Sequence, residues 1–372
     1  MRLLPAVAAL LALAFVAGCA APATQSTAPA PTFDGAAALQ WVKAFALRQD
    51  GSVRYRIPGT HGQIEGARML WNATDVPGWT RAFQNFTGAD YMALDRKAVA
   101  AYTEPDARND PPGGGYPRGC TPAEHDAVPG LRFANLLALR PGPSGSPFLL
   151  LAAHWDSQMH SDYDPVPAKR DQPDPGANDG ASGVGVLLQL MREVKGALPF
   201  TLGLLFVDGE DGFYDCYPDA GSLYYAQHAT TSLVVGAGSK PTALLLLDMV
   251  GDGGAQYPRE AHSRDSAPDL QDLVWRHGQA LDGGRHFVNR SATIEDDHVA
   301  FIDQGVPSVD LVDAGHTDSR SGAFPDQWDT TGDTVDKLSA QMLGLVGRTL
   351  LASLQDPSFL ASIGAPETGV PA

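Results

Sequence analysis

Three wholly apolar runs, each stopping abruptly at acids or a histidine, set the pattern of this chain. Residues 148–153 end in His154-Trp155-Asp156, residues 201–207 in Asp208-Gly209-Glu210-Asp211, and residues 243–247 in Asp248-Met249-Val250-Gly251. Short apolar runs bounded by polar and turn residues predict buried strands. Between the first two, the loop Gly176-Ala177-Asn178-Asp179-Gly180-Ala181-Ser182-Gly183 opens a helix that runs to about Val194. Leu39, Val42, Phe45 and Ala46 share one face of a helix over 36–49. Further helices are predicted over 269–281, just after His298, and from Val335 to about Leu354. Further strands are predicted over 81–86, 133–139 and 309–312, with turns at 56–60 and 305–307. The Pro/Gly-rich stretch 104–130 reads as a surface insertion, and the tail from Asp356 lacks periodicity. Strands alternating with helices predict a single α/β domain over 36–356, with residues 357–372 as a loose tail.

Composition narrows the class. Of 372 residues, 43 are Asp or Glu and 26 are Lys or Arg, a net charge of -17. With no basic cluster, nucleic acid is excluded as a partner. Arg2 precedes an apolar run, 3–16, that is too short to span a bilayer and suits a signal-peptide core. It ends in Val16-Ala17-Gly18-Cys19, which resembles the bacterial lipobox. Residues 1–18 are then a lipoprotein signal peptide, and 19–35 are a lipidated Cys19 with a flexible tether. The protein is expected to be exported and anchored to a bacterial membrane through Cys19 only, facing the periplasm or the cell exterior. In that compartment a disulfide between Cys120 and Cys216 is plausible.

The chemistry gathers where the strands end, the place at which an open α/β sheet builds its site. His154, Asp156, Asp179, Glu210, Asp211, Asp248, Asp296 and Asp329 form the candidate set. A lone loop aspartate is usually a solvated surface acid. Five acids that each follow an apolar strand or a Gly-rich loop would repel one another unless cations neutralise them, and a divalent metal is the economical partner. Imidazole with carboxylates suits zinc, and an oxygen-rich set also admits manganese. In Glu210-Asp211, one carboxylate can bind metal while its neighbour moves protons. In His154-x-Asp156, the acid can orient the imidazole. His298 and His316 are further candidates.

In this order, His154-Trp155-Asp156, Gly176-Ala177-Asn178-Asp179, Glu210-Asp211, Leu247-Asp248-Met249-Val250-Gly251 and Asp329-Thr330 resemble the co-catalytic zinc aminopeptidases, a superfamily that includes the animal-type glutaminyl cyclases. The stretches 206–213, Glu295-Asp296-Asp297-His298, Gly305-Val306-Pro307, Arg56-Ile57-Pro58-Gly59-Thr60 and Trp328 resemble the cyclases more closely. The resemblance implies a three-layer α/β/α domain with a mixed, largely parallel central sheet, holding one or two Zn2+ ions and acting on peptide or protein N-termini. In the cyclase version Asp179, Asp211 and Asp329 hold the metal, Glu210 is the base and acid, and Asp248 and Asp296 complete an acidic network. Trp328 and His298 would line the substrate pocket. In the aminopeptidase version Asp179 bridges two metals, one also held by His154 and Asp248, the other by Asp211 and Asp329.

Two positions depart from the family pattern, which has Glu at 211 and His at 329. Asp329 makes its metal site all-oxygen, and His316 is a candidate substitute. Three functions therefore stand open: cyclisation of N-terminal glutamine with loss of ammonia, hydrolysis of the first peptide bond, and an inactive peptide-binding lipoprotein.

Overall fold

In the computed structural model, which describes residues 31–94, 122–211, 218–228 and 240–364, eight strands form two sheets. They are β1 (Thr80–Thr87), β2 (Arg132–Arg140), β3 (Phe148–His154), β4 (Thr201–Val207), β5 (Ala243–Asp248), β6 (Tyr257–Glu260), β7 (Phe287–Ala292) and β8 (Ser308–Val312). The main sheet has the order β1-β2-β4-β3-β5-β8. Its β4, β3, β5 and β8 run parallel, whereas β2 is antiparallel to both β1 and β4. This is the mixed, largely parallel sheet expected from the sequence.

The continuous apolar runs follow from burial on both faces. Along β3, Leu149, Leu151 and Ala153 pack into one core while Phe148, Leu150 and Ala152 pack into another. Because side chains alternate at period two, a strand covered on both sides cannot afford a polar position until it ends. The larger core lies under α1 (Gly35–Ala46), α3 (Ala181–Glu193), α5 (Pro268–Asp282) and α7 (Ala340–Leu354). The other is covered by α4 (Ala220–His228) and α6 (Asp297–Asp303), which makes three layers. Helix packing against the sheet is tight enough that a Cβ on Gly183 of α3 would stand 2.4 Å from the Leu247 carbonyl oxygen of β5.

Several elements escaped the sequence pattern. Helix α2 (His61–Ala73) carries a weak apolar stripe, and its start is fixed by Thr60, whose hydroxyl accepts from Gln63 N at 3.4 Å. β6 and β7 form a small parallel sheet beyond β5. The expected helix from Val335 is a short 3-10 turn, Val335–Lys337. Helix α7 starts only after Ser339, whose Oγ accepts from Met342 N. Of the expected insertion at 104–130, Pro122–Ala127 is a helix and Val128–Gly130 a 3-10 turn. The tail is not loose from 357: Phe359–Ser362 form a helical turn, with Phe359 and Ile363 buried against the larger core. Cys19, Cys120 and Cys216 lie outside the described residues.

Candidate metal centre

The strand register delivers the site. In-register pairing sets His154 of β3 beside Val207 of β4, and Asp248 of β5 beside Val312 of β8, so the polar termini of three parallel strands meet at one edge. His154 is the hub. Its Nε2 lies 2.9 Å from Asp179 Oδ1 and 3.1 Å from Asp248 Oδ1. Its Nδ1 faces Glu210 Oε2 at 3.6 Å, Asp156 Oδ1 at 3.7 Å and Asp211 Oδ2 at 3.8 Å. His154, Asp179, Glu210 and Asp211 each place a ligand atom within 4.8 Å of the others.

The acids are held by backbone amides. Both oxygens of Asp156 are occupied by the turn after β4, Oδ1 by Glu210 N at 3.1 Å and Oδ2 by Asp211 N at 3.0 Å. Asp333 does the same for the loop before α3. Its Oδ2 accepts from Asp179 N at 3.0 Å, and its Oδ1 from Asn178 N at 2.9 Å. Gly180 begins α3 at φ 81°, and a Cβ there would stand 2.9 Å from His154 Cε1, so only glycine lets the loop close over the imidazole. A fully buried Arg56 fastens the underside of both loops. Its guanidinium donates to the carbonyls of Trp155, Asp156, Pro175 and Gly176 at 2.6–3.2 Å.

Asp333 and Asp174, which accepts from Gly176 N at 2.7 Å, are not among the residues that the sequence singles out, and Arg56 is singled out there only within a turn motif, with no role at the site. All three act on backbone in loops, where spacing carries no signal. Asp333 does follow a Thr/Asp-rich turn, and Arg56 stands in a motif that the cyclases share.

Electrostatics favour a cation here. Burial pushes Asp211 well above the usual carboxylate range, and Asp179 adds to it. Burial, then the neighbouring Asp211, does the same to Glu210. Asp329 is pushed up by burial, Asp211 and Asp179. Burial alone would depress His154, but the charge of Glu210 and hydrogen bonds that the ring donates to Asp156, Asp179 and Asp248 hold it well above its ordinary value. Asp211 Oδ2 and Asp329 Oδ1 are buried without a hydrogen-bond partner. Buried carboxylate oxygens left without donors fit a divalent ion. The residues that would hold it are Asp179, Asp211 and Asp329, with His154 and Asp248 on the other side of Asp179.

A model of peptidase family M28 matches residues 135–354, well over half of the sequence. The chain belongs to peptidase family M28. Two curated relatives are glutaminyl-peptide cyclotransferases by name. The mouse glutaminyl-peptide cyclotransferase-like protein is 26% identical over 253 residues, which cover 61% of this chain and 61% of the relative. The Drosophila melanogaster glutaminyl-peptide cyclotransferase is 27% identical over 254 residues, 60% of this chain and 66% of the relative. This chain thus spans about three-fifths of the length of the mouse protein. Among solved structures, a Zn-dependent exopeptidase from Parabacteroides distasonis superposes with a TM-score of 0.68 at 26% identity, covering 88% of this chain and all of that one. The Tannerella forsythia glutaminyl cyclase gives 0.67 at 27%, with the same coverage.

Against this M28 framework the remaining candidates fall into place. Asp329 is buried, with its backbone in the left-handed region at φ 50°, and Tyr163 N donates to its carbonyl at 3.0 Å. Trp328 is half-buried between Tyr163 and Phe324, at ring separations of 4.6 and 4.4 Å, and packs near Met249, the residue after Asp248. Asp296 is buried and groups with Glu210 and Asp219. His298 does not line a pocket. It is fully buried, with Nε2 3.1 Å from Glu260 Oε2, because it falls on the inward face of α6. Nor does His316 join the cluster: its Nε2 pairs with Asp313 at 2.6 Å, and among the described residues no group with metal-ligand spacing includes it.

Proposed function

We propose that this protein is a metal-dependent enzyme of peptide N-termini that cyclises N-terminal glutamine to pyroglutamate with loss of ammonia. The observation that carries the reading is the position of Glu210. It borders the His154, Asp179, Asp211 cluster on one side and the buried acids Asp219 and Asp296 on the other, so it can exchange protons beside a metal without being consumed as a ligand. A divalent ion held by Asp179, Asp211 and Asp329 would supply Lewis-acid polarisation of the γ-carboxamide carbonyl. The acidic pocket, with Asp248 and Asp296 flanking Glu210, favours a cationic α-ammonium group. The α-ammonium gives up one proton to the acidic network, the freed amine attacks the side-chain carbonyl carbon, and Glu210 takes the second proton from that nitrogen and returns it to the departing amide nitrogen, which leaves as ammonia. The C–N bond of the lactam forms as the C–N bond of the amide breaks. Trp328, with Phe324 and Tyr163, supplies an apolar wall for the glutamine methylenes. The names of the relatives favour this chemistry, and zinc is the metal that the imidazole-carboxylate set and the exopeptidase neighbour both favour.

The runner-up is an aminopeptidase. It is favoured by the contacts of His154 with Asp179 and Asp248, which leave a complete set for a second ion. The N-terminal sequence supports a periplasmic or extracellular lipoprotein, anchored through Cys19.

The full chain, supplied with zinc, should be incubated with one Gln-initiated and one Leu-initiated peptide and the products followed by mass. Loss of 17 Da (ammonia) from the Gln peptide is the expected result. Release of free Leu would replace cyclisation by peptide-bond hydrolysis, and an inert protein would leave the peptide-binding reading.

A further inference from the structure

Behind the His154 cluster lies a second, enclosed group of side chains with metal-ligand chemistry. Asp296, His298 and Asp310 each place a ligand atom within 4.8 Å of the others. They come from separate pieces of the fold: Asp296 caps the start of α6, His298 sits in its first turn, and Asp310 is central in β8. His298 and Asp310 are completely buried.

The hydrogen-bond pattern is that of a metal-binding imidazole. Glu260 accepts from Ser263 N at 2.6 Å, Ser263 Oγ at 2.7 Å and His262 N at 2.9 Å, so it is fixed as a carboxylate. Its Oε2 lies 3.1 Å from His298 Nε2 and accepts the ring N–H there, which leaves the lone pair on Nδ1. A carboxylate on the far nitrogen is the usual partner of a ligating histidine. Nδ1 has no hydrogen bond, and neither oxygen of Asp310 nor Oδ2 of Asp296 has one. These four orphaned atoms are all acceptors when the acids are ionised, and the residues that carry them are buried.

A shared proton is the competing explanation, and distance argues against it. His298 Nδ1 and Asp310 Oδ2 are 3.9 Å apart, beyond hydrogen-bond range. Two ligands at about 2.0–2.1 Å on a tetrahedral ion stand about 3.3–3.4 Å apart, so an ion would draw this pair together by about half an ångström.

We infer that Asp296, His298 and Asp310 form a second, structural divalent-metal site, with zinc as its ion and Glu260 orienting the imidazole. Asp310, with both oxygens unengaged, can fill two coordination positions. The ion would join β8 to the start of α6 and fix Asp296, whose carboxylate also borders Glu210. The site adjoins the His154 cluster through Asp296, but its other ligands, His298 and Asp310, belong to neither reading of that cluster's reaction.

The test is zinc stoichiometry, read independently of activity. The full chain, Asp310→Asn, Asp179→Asn and the double variant are equilibrated with zinc, desalted and measured by plasma mass spectrometry. Asp310→Asn is expected to hold one zinc fewer than the unaltered protein. Asp179→Asn should keep the zinc that the double variant loses. Equal zinc in Asp310→Asn and the unaltered chain would overturn the site. If Asp310→Asn does not fold, zinc-edge anomalous diffraction from the unaltered protein decides. A peak between His298 Nδ1 and Asp310 sustains the site, and a peak at the His154 cluster without one here removes it.

Discussion

Asp156 holds the turn of Glu210 by its backbone, one carboxylate oxygen accepting from Glu210 N at 3.1 Å and the other from Asp211 N at 3.0 Å. The direction in which Glu210 points is therefore set by an acid on the neighbouring strand end. In Asp156→Asn, the amide replaces one acceptor by a donor aimed at an N–H. Turnover of the Gln-initiated peptide should fall about 10–100-fold, the usual cost of losing an orienting partner, with the far-UV circular dichroism unchanged. Full activity in Asp156→Asn would show that the turn holds itself.

Glu210→Gln separates proton transfer from metal binding. The variant keeps the side-chain volume and should lower kcat by about 10²–10⁴-fold, the range for removing a positioned acid–base group. Zinc content should not change. A parallel loss of zinc would move Glu210 from proton carrier to ligand.

Asp329→His tests the all-oxygen position. Histidine is among the residues that accept φ 50° most readily, so the backbone of this turn should survive. Zinc affinity, measured by chelator competition, should rise, whereas Asp329→Ala should weaken it by at least about 10–100-fold. Unchanged affinity in both would take residue 329 out of the ligand set.

Arg56 is expected to matter for folding more than for chemistry. It is buried and satisfies carbonyls from two loops. Arg56→Met leaves several buried acceptors without donors, at about 1–3 kcal/mol each. Arg56→Lys restores the charge but not the fork, and should recover only part of the loss in urea denaturation.

Acid should loosen the C-terminal turn before it unfolds the core. Burial raises Asp356, but hydrogen bonds from Ser358 and His277 and the charge of Arg276 outweigh it and bring it to about 2. A depressed carboxylate stabilises the folded state at pH above its unfolded value, near 3.9. That contribution is lost as pH falls from there through about 2. Asp356→Asn should lower the melting temperature at pH 7–8 and flatten its pH dependence in that window, so that the two proteins converge near pH 2. An unaltered acid limb would assign it to other carboxylates.

The sequence made the sheet and the donors readable because burial on both faces writes strands as unbroken apolar runs. The residue that ends each run is then conspicuous, as His154 and Asp248 are. What it hid acts through backbone or through three-dimensional packing. Asp333 and Arg56 bind amides and carbonyls, which no side-chain spacing records. α2 has a diluted apolar stripe because only residues such as Gln63, Gly66, Leu70 and Ala73 are buried. His298 looked like a pocket residue because it follows two acids. The rotation of α6 turns it inward to Glu260, and the rotation of so short a helix is set by tertiary packing.

Asp219, Met249 and Asp329 are, among the described residues, the non-glycine positions with left-handed backbones. Each is tied to the acid pocket: Asp219 groups with Glu210, Met249 follows Asp248, and Asp329 is buried and feels the charges of Asp211 and Asp179. Torsion angles alone, with every side chain erased, would therefore mark the reactive edge of this molecule. Such positions cost on the order of 1–3 kcal/mol each relative to relaxed conformations. Glycine at Met249 would relax the backbone but empty a buried place against Ile294, Val312 and Phe324, at a cost of about 2–5 kcal/mol, so the turn that borders the chemistry is also held bent by its own packing.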